Sequence, residues 1–75
     1  MFDKTLFGSR LRELRKLQEI PAQQVADAFE IHKASLSNLE CGKKSPSIEL
    51  AVALADYFNA SLDYLVGRSD NPERR

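Results

Sequence analysis

One histidine, one cysteine and no tryptophan occur in 75 residues, so the side chains that carry most enzyme chemistry are nearly missing. Zinc sites draw three or four protein ligands together, and an activated nucleophile needs a base and a group that orients it. His32 and Cys41 stand alone, without such partners at any useful spacing. The expectation is no metal, no cofactor and no enzyme. Chemistry of another kind gathers in the stretch from His32 to Glu40. At helical spacing Leu36 and Leu39 fall on one side, leaving His32, Lys33, Ala34, Ser35, Ser37 and Asn38 on the other. That face is short-chained and polar, and Lys33 is its one formal charge. A merely solvated face more often carries Glu and Lys pairs four residues apart. Hydroxyl, amide and basic groups of limited reach are what base edges in a DNA groove accept. On composition alone, base readout and a plain solvent face stand level.

A face of this kind has to be held by neighbouring helices, and the chain supplies them. Phe7, Leu11 and Leu14 recur at i, i+4 and i+7, with Leu17 beside them, which predicts a helix over 4–17 with Arg12, Glu13 and Lys16 opposite. Pro21 suits a helix start, where its missing N–H costs nothing, and a short helix over 21–29 places Val25, Ala26 and Phe29 inward. The third helix runs over 32–40 and stops at Gly42, as helices commonly do. Lys43-Lys44-Ser45-Pro46 is a loop by composition. Ser47 then caps a fourth helix with Glu49 in its first turn, presenting Leu50, Ala51, Leu54, Ala55 and Phe58 inward. After Asn59-Ala60, Ser61 caps a last short helix with Leu62 and Leu65 inward, ended by Gly67. The fold class is all-α: a compact domain of five helices over 1–67, with a frayed, flexible tail over 68–75. The second and third helices have the size and spacing of a helix-turn-helix.

Composition agrees. Ten Leu and eight Ala against three Val, three Ile and one Thr favour helix. A lone Cys cannot close a disulfide within the chain and fits a reducing compartment. No apolar run approaches the roughly 20 residues needed to span a bilayer, and the start lacks the pattern of a signal peptide. A cytoplasmic protein without a membrane partner is expected. Eleven basic residues balance eleven acidic ones, yet the charges are not mixed evenly. Residues 1–46 hold eight bases and six acids, whereas residues 47–67 hold three acids and no base. Such a molecule can turn a positive side to a polyanion and its acidic side away.

The ordered series Phe7-Gly8-Ser9-Arg10-Leu11-Arg12-Glu13-Leu14-Arg15, Val25-Ala26, Leu36-Ser37-Asn38-Leu39-Glu40-Cys41-Gly42-Lys43-Lys44-Ser45-Pro46-Ser47, Leu54-Ala55 and Ser61-Leu62-Asp63-Tyr64-Leu65-Val66-Gly67 resembles the Cro/phage-repressor-like helix-turn-helix family, the xenobiotic-response-element type. The likeness extends from about Phe7 to Gly67. It implies a repressor-like DNA-binding domain whose recognition helix, Lys33 to Glu40, lies in the major groove. Lys33 would then donate to guanine and Asn38 pair with adenine; Ser35 and Ser37 would bond a base edge or a phosphate, and Ala34 touch a thymine methyl. Lys43 and Lys44 would hold backbone phosphate, where without the resemblance they would be a solvated basic loop. His32 is a phosphate contact or an exposed helix start. Arg15 and Glu40 would pair, tying the first helix to the end of the recognition helix. The implied function is a sequence-specific transcriptional regulator, a repressor, bound to a palindromic double-stranded operator as a homodimer. Tyr57, Leu62, Tyr64 and Val66 are candidates for the dimer interface.

Three departures from the family pattern stand out. Pro21-Ala22 replaces a Ser or Thr followed by Gln at the start of the second helix, leaving Gln23 or Gln24 to reach a phosphate through a shifted geometry. Glu19 and Glu30 occupy turns where glycine is frequent, so those turns differ or carry strain. Cys41 takes a position where polar residues are common and is read as a passive loop residue rather than a redox sensor. An antitoxin or a restriction-modification controller uses the same domain. A protein-docking module on the same fold is the alternative outside DNA binding, since fold does not fix function.

Overall fold

The computed structural model describes residues 2–73, and Arg74 and Arg75 of the expected tail lie outside the described residues. Among the described residues the elements are α1 (Lys4–Leu17), α2 (Ala22–Ala28), α3 (Lys33–Glu40), α4 (Ile48–Tyr57) and α5 (Leu62–Leu65). No helix among the described residues is long and apolar enough to cross a membrane. Three helices start on a side-chain cap. The Asp3 carboxylate accepts from the Thr5 and Leu6 N–H groups at 3.0 and 3.1 Å, Ser47 accepts from Leu50 N–H, and Ser61 from Tyr64 N–H. Each cap satisfies donors that a first helical turn leaves open. Pro21 and His32 occupy the corresponding positions of α2 and α3 without a side-chain bond.

All five helices stop in one way. The N–H two residues past the cap returns to the carbonyl five positions back, as in Ile20 to Arg15, Ile31 to Ala26, Lys43 to Asn38, Ala60 to Ala55 and Arg68 to Asp63. This ending requires a left-handed residue just past the cap. Gly42 and Gly67 supply it at φ 77° and 88°, and Glu19, Glu30 and Asn59 supply it at φ 55°, 54° and 52°. The two glutamates therefore make the same turn a glycine would, at the cost of a side chain in the left-handed region, about 1–2 kcal/mol each.

Phe7, Leu11, Val25, Leu36, Leu39, Leu54, Phe58 and Leu65 form the fully buried centre. α1 packs on α3 and α5, α2 on α3, and α4 on α5. The α1–α3 crossing is close because Gly8 has no side chain: a Cβ there would overlap the Leu39 and Glu40 carbonyl oxygens. Gly42 in turn lies against Thr5 of α1.

Leu17 is 72% exposed instead of joining the apolar stripe of α1. It is the last helical residue, and the chain folds back there so that Ile20 packs against the core in its place. Phe29 is half-buried rather than inward, its ring set edge-on to Tyr57 at 5.4 Å. The stretch expected to fray is fastened as far as Glu73. Arg10 donates to the carbonyl oxygens of Tyr64 and Ser69 and to the Asp70 carboxylate. Ser61 N–H donates to Pro72 O at 3.0 Å, and Ala60 and Glu73 form an isolated antiparallel bridge.

Candidate nucleic-acid interface

α2, a four-residue turn and α3 build a helix-turn-helix, with α1 as the beam on which α3 rests. The turn is held by Glu30 N–H to Asp27 O and Ile31 N–H to Ala26 O. Leu36 and Leu39 anchor α3 in the core at 1% and 2% exposure, and this fixes the direction of its other face. Lys33, Ala34, Ser37 and Asn38 are exposed and Ser35 is half-buried. His32 is the exposed residue before the helix, its backbone extended at φ −72° and ψ 147°. Among the described residues, none of the side chains of His32, Lys33, Ser35, Ser37 or Asn38 makes a hydrogen bond or ion pair within the chain. A run of five such side chains on one helix face is a surface whose hydrogen-bonding capacity is left for a partner or for water.

The end of α3 directs the next basic residues. Gly42 N–H returns to Leu39 O at 3.2 Å and Lys43 N–H to Asn38 O at 2.9 Å, so Lys43 and Lys44 leave the helix exposed at its C-terminal end. Ser47 then starts α4. Of the amides proposed for phosphate, Gln23 instead donates its Nε2 to Asp27 Oδ1 at 2.8 Å along α2. Gln24, beside it, is exposed without a side-chain bond among the described residues.

Arg15 and Glu40 meet directly. Arg15 Nε donates to Glu40 Oε2 at 2.7 Å and a terminal nitrogen to Oε1 at 3.1 Å, a two-pronged contact between side chains only 14% and 5% exposed. Its other terminal nitrogen reaches Ile20 O at 3.3 Å, which ties the turn into α2 to the same joint. The bond to Glu40 pushes the Arg15 guanidinium to a still higher pKa than usual, against the opposing effect of burial. Sequence reasoning placed Arg12 on the solvent side of α1. Its Nε lies 3.8 Å from Glu40 Oε1, with the side chain 53% exposed. Thr5, Gly8, Arg12 and Arg15 share one face of α1, and the packing turns that face to the end of α3.

The dimer candidates separate. Tyr64 is 8% exposed; Arg10 stacks over its ring at 4.2 Å, and its hydroxyl faces Glu13 at 3.4 Å. It belongs to the domain's own core and offers little outer surface. Burial first, and the Glu13 charge second, raise its pKa. Tyr57 stands half-buried between Phe29 and Phe58, and Leu62 and Val66 pack partly buried against the core. The larger exposed apolar surface was missed. Ile48 and Val52 lie one turn apart on α4 at 69% and 40% exposure, and Val52 shares a groove with Leu62. By helical period both fall beside Ala51 and Ala55, which are buried, so the period alone would not have marked them as exposed.

A helix-turn-helix set on a third helix, with an unsatisfied polar face on its second helix and a basic loop behind, defines a DNA-recognition type of domain. Comparison with known proteins gives the same class, the match to the helix-turn-helix family covering residues 11–65. The chain belongs to that family in its Cro/C1 form, a family of DNA-binding transcriptional regulators. It is 34% identical over 68 residues to the uncharacterized HTH-type transcriptional regulator YobD of Bacillus subtilis (strain 168), covering 91% of this chain and 61% of that one. It is 41% identical over 59 residues to the HTH-type transcriptional regulator AnsR of the same organism, 79% of this chain and 51% of that one. With ImmR, also an HTH-type transcriptional regulator of that organism, identity is 30% over 63 residues, 84% of this chain and 50% of the other. The chain thus spans half to about three-fifths of the length of these relatives.

Proposed function

We propose that this protein is a sequence-specific, cytoplasmic DNA-binding repressor that inserts α3 into the major groove of a palindromic operator. The observation that carries the proposal is the α3 face itself, its side chains without hydrogen bonds among the described residues, on a helix whose opposite side is locked into the core. Lys33 and Asn38 read guanine and adenine edges, Ser35, Ser37 and Ala34 complete the contact, and His32, Lys43 and Lys44 hold phosphate. With Gln23 bound to Asp27, Gln24 is the freer amide at the start of α2. No catalytic step is assigned to the chain.

Few phosphate holders per copy give modest affinity, so two copies act together on a two-fold site with half-site centres about 34–36 Å apart. The surface for the second copy is the apolar strip of Ile48, Val52 and Leu62, beside Tyr57 and Val66. It adjoins the loop that carries Lys43 and Lys44, and so lies near the edge where two half-site protomers would meet. Selection of bound sequences from a random duplex pool tests both parts. The expected product is a sequence repeated in inverted order one helical turn apart. A single unrepeated half-site would remove the dimer. Absence of any shift on duplex at low salt would leave the protein-docking alternative in place of DNA binding.

A further inference from the structure

We infer that Arg12 is a phosphate-holding residue of the interface, an anion site formed by α1 and distinct from the basic loop. It deepens the DNA-binding reading proposed above and rests on it. Three observations place it. Thr5, Gly8 and Arg12 lie on one face of α1, and that face touches the end of α3: Gly8 against the Leu39 and Glu40 carbonyls and Thr5 against Gly42. Arg12 therefore stands beside Glu40 at the end of α3, the helix that Lys43 and Lys44 follow in the chain. Second, Glu40 is already satisfied. Both of its oxygens accept from Arg15 at 2.7 and 3.1 Å, and Arg12 approaches with Nε at 3.8 Å, too far for a hydrogen bond. Its side chain makes no hydrogen bond among the described residues. Third, the charges do not cancel. Two guanidinium groups face one carboxylate at this end of α3 and two exposed lysines follow it in the chain, an excess of positive charge in which Arg12 is the half-exposed, forked donor. A planar guanidinium suits two oxygens of one phosphate better than an ammonium does.

A structural Arg12 would act through Glu40; a phosphate-holding Arg12 acts through counterion release on the duplex. Arg12→Gln, Arg12→Lys and Lys44→Ala are compared with the parent protein on operator and scrambled duplexes, from 50 to 200 mM salt, with urea unfolding of each. The expected result is a log–log slope flattened by about 0.9 per bound copy in Arg12→Gln, equally on both duplexes. Its affinity deficit then narrows about 3.5-fold per copy across that salt range. Arg12→Lys keeps the slope, and the urea midpoint of Arg12→Gln stays with the parent. An unchanged slope in Arg12→Gln alongside a flattened one in Lys44→Ala overturns the assignment and leaves DNA binding intact. A large fall in the urea midpoint of Arg12→Gln, with Arg12→Lys failing to restore it, makes Arg12 a partner of Glu40 and overturns it equally. If the parent binds neither duplex at 50 mM salt, the DNA-binding reading itself has failed.

Discussion

The two sides of α3 have opposite fates. On one, Leu36 and Leu39 enter the core, Glu40 is held twice by Arg15, and Gly8 lets α1 approach to backbone contact. On the other, Lys33, Ser37 and Asn38 are exposed, and their side chains make no hydrogen bond among the described residues. Polar groups elsewhere are put to structural use: Asp3, Ser47 and Ser61 cap helices, and Arg10 fastens α5 and the following segment. The contrast teaches that α3 is a rigid carrier. Its inner side determines where the outer side points, so changes inside should alter stability and changes outside should alter binding.

The largest effect should come from the inner side. Arg15→Ala leaves Glu40 buried without its partner and should cost on the order of 3–5 kcal/mol, comparable to the whole stability of a domain this small. Joining Arg15→Met to Glu40→Leu should recover much of that loss, because an apolar pair carries no desolvation penalty. Urea titration that finds Arg15→Ala as stable as the parent would abolish the division between the two sides. Gly8→Ala should act in the same place by pushing α1 from α3, with a loss of about 1–3 kcal/mol in the same titration.

The outer side should behave in reverse. Asn38→Ala should leave the urea midpoint unmoved, weaken operator binding by roughly 1–3 kcal/mol and relax selectivity at one base pair. Lys43→Ala and Lys44→Ala should weaken operator and scrambled duplex alike, and each should flatten the salt slope by about one per contacted half-site. Binding measured on both duplexes across a salt series separates these roles. Equal weakening of both duplexes by Asn38→Ala, or a changed base preference in Lys44→Ala, would remove α3 from the groove.

A smaller effect belongs to the turns on either side of the reading unit. Glu19→Gly and Glu30→Gly relieve a left-handed backbone and should each stabilise by up to about 1 kcal/mol, the gain reduced by glycine's greater freedom in the unfolded chain. Thermal unfolding would show it, and a loss would mean the glutamate side chains make stabilising contacts of their own. Smallest is the pH response of Tyr64, whose raised pKa favours the neutral phenol in the folded state. That contribution is complete below the ordinary tyrosine value and is lost as pH rises through the higher folded value, so stability should begin to fall only above about pH 10. Tyr64→Phe should lack that alkaline component.

Much of this architecture was legible in the residues. The period of Phe7, Leu11 and Leu14, the caps Ser47 and Ser61 and the stops Gly42 and Gly67 act locally, through bonds within a few residues. Local signals gave α1 with the bounds observed and the other helices to within a residue or two. The resemblance supplied the Arg15–Glu40 pair, which spacing alone does not reveal at a separation of 25 residues. Leu17 went astray because helical period continues to the last residue while the core does not. Tyr64, a candidate for the dimer interface, has little outer surface because Arg10 and Glu13 arrive from the other end of the sequence to enclose it.

The sequence by itself determined an all-helical chain, its breaks, and the polar composition of the face from Lys33 to Asn38. Only the tertiary structure decided that Arg12 stands at Glu40, that Ile48, Val52 and Leu62 form one apolar strip, and that the segment after α5 is fastened by Arg10 as far as Asp70 and by Ala60 and Ser61 as far as Glu73. The physical reason is range. Propensity, capping and period are written within a turn or two of the chain, whereas which carboxylate a guanidinium finds depends on how helices far apart in sequence cross.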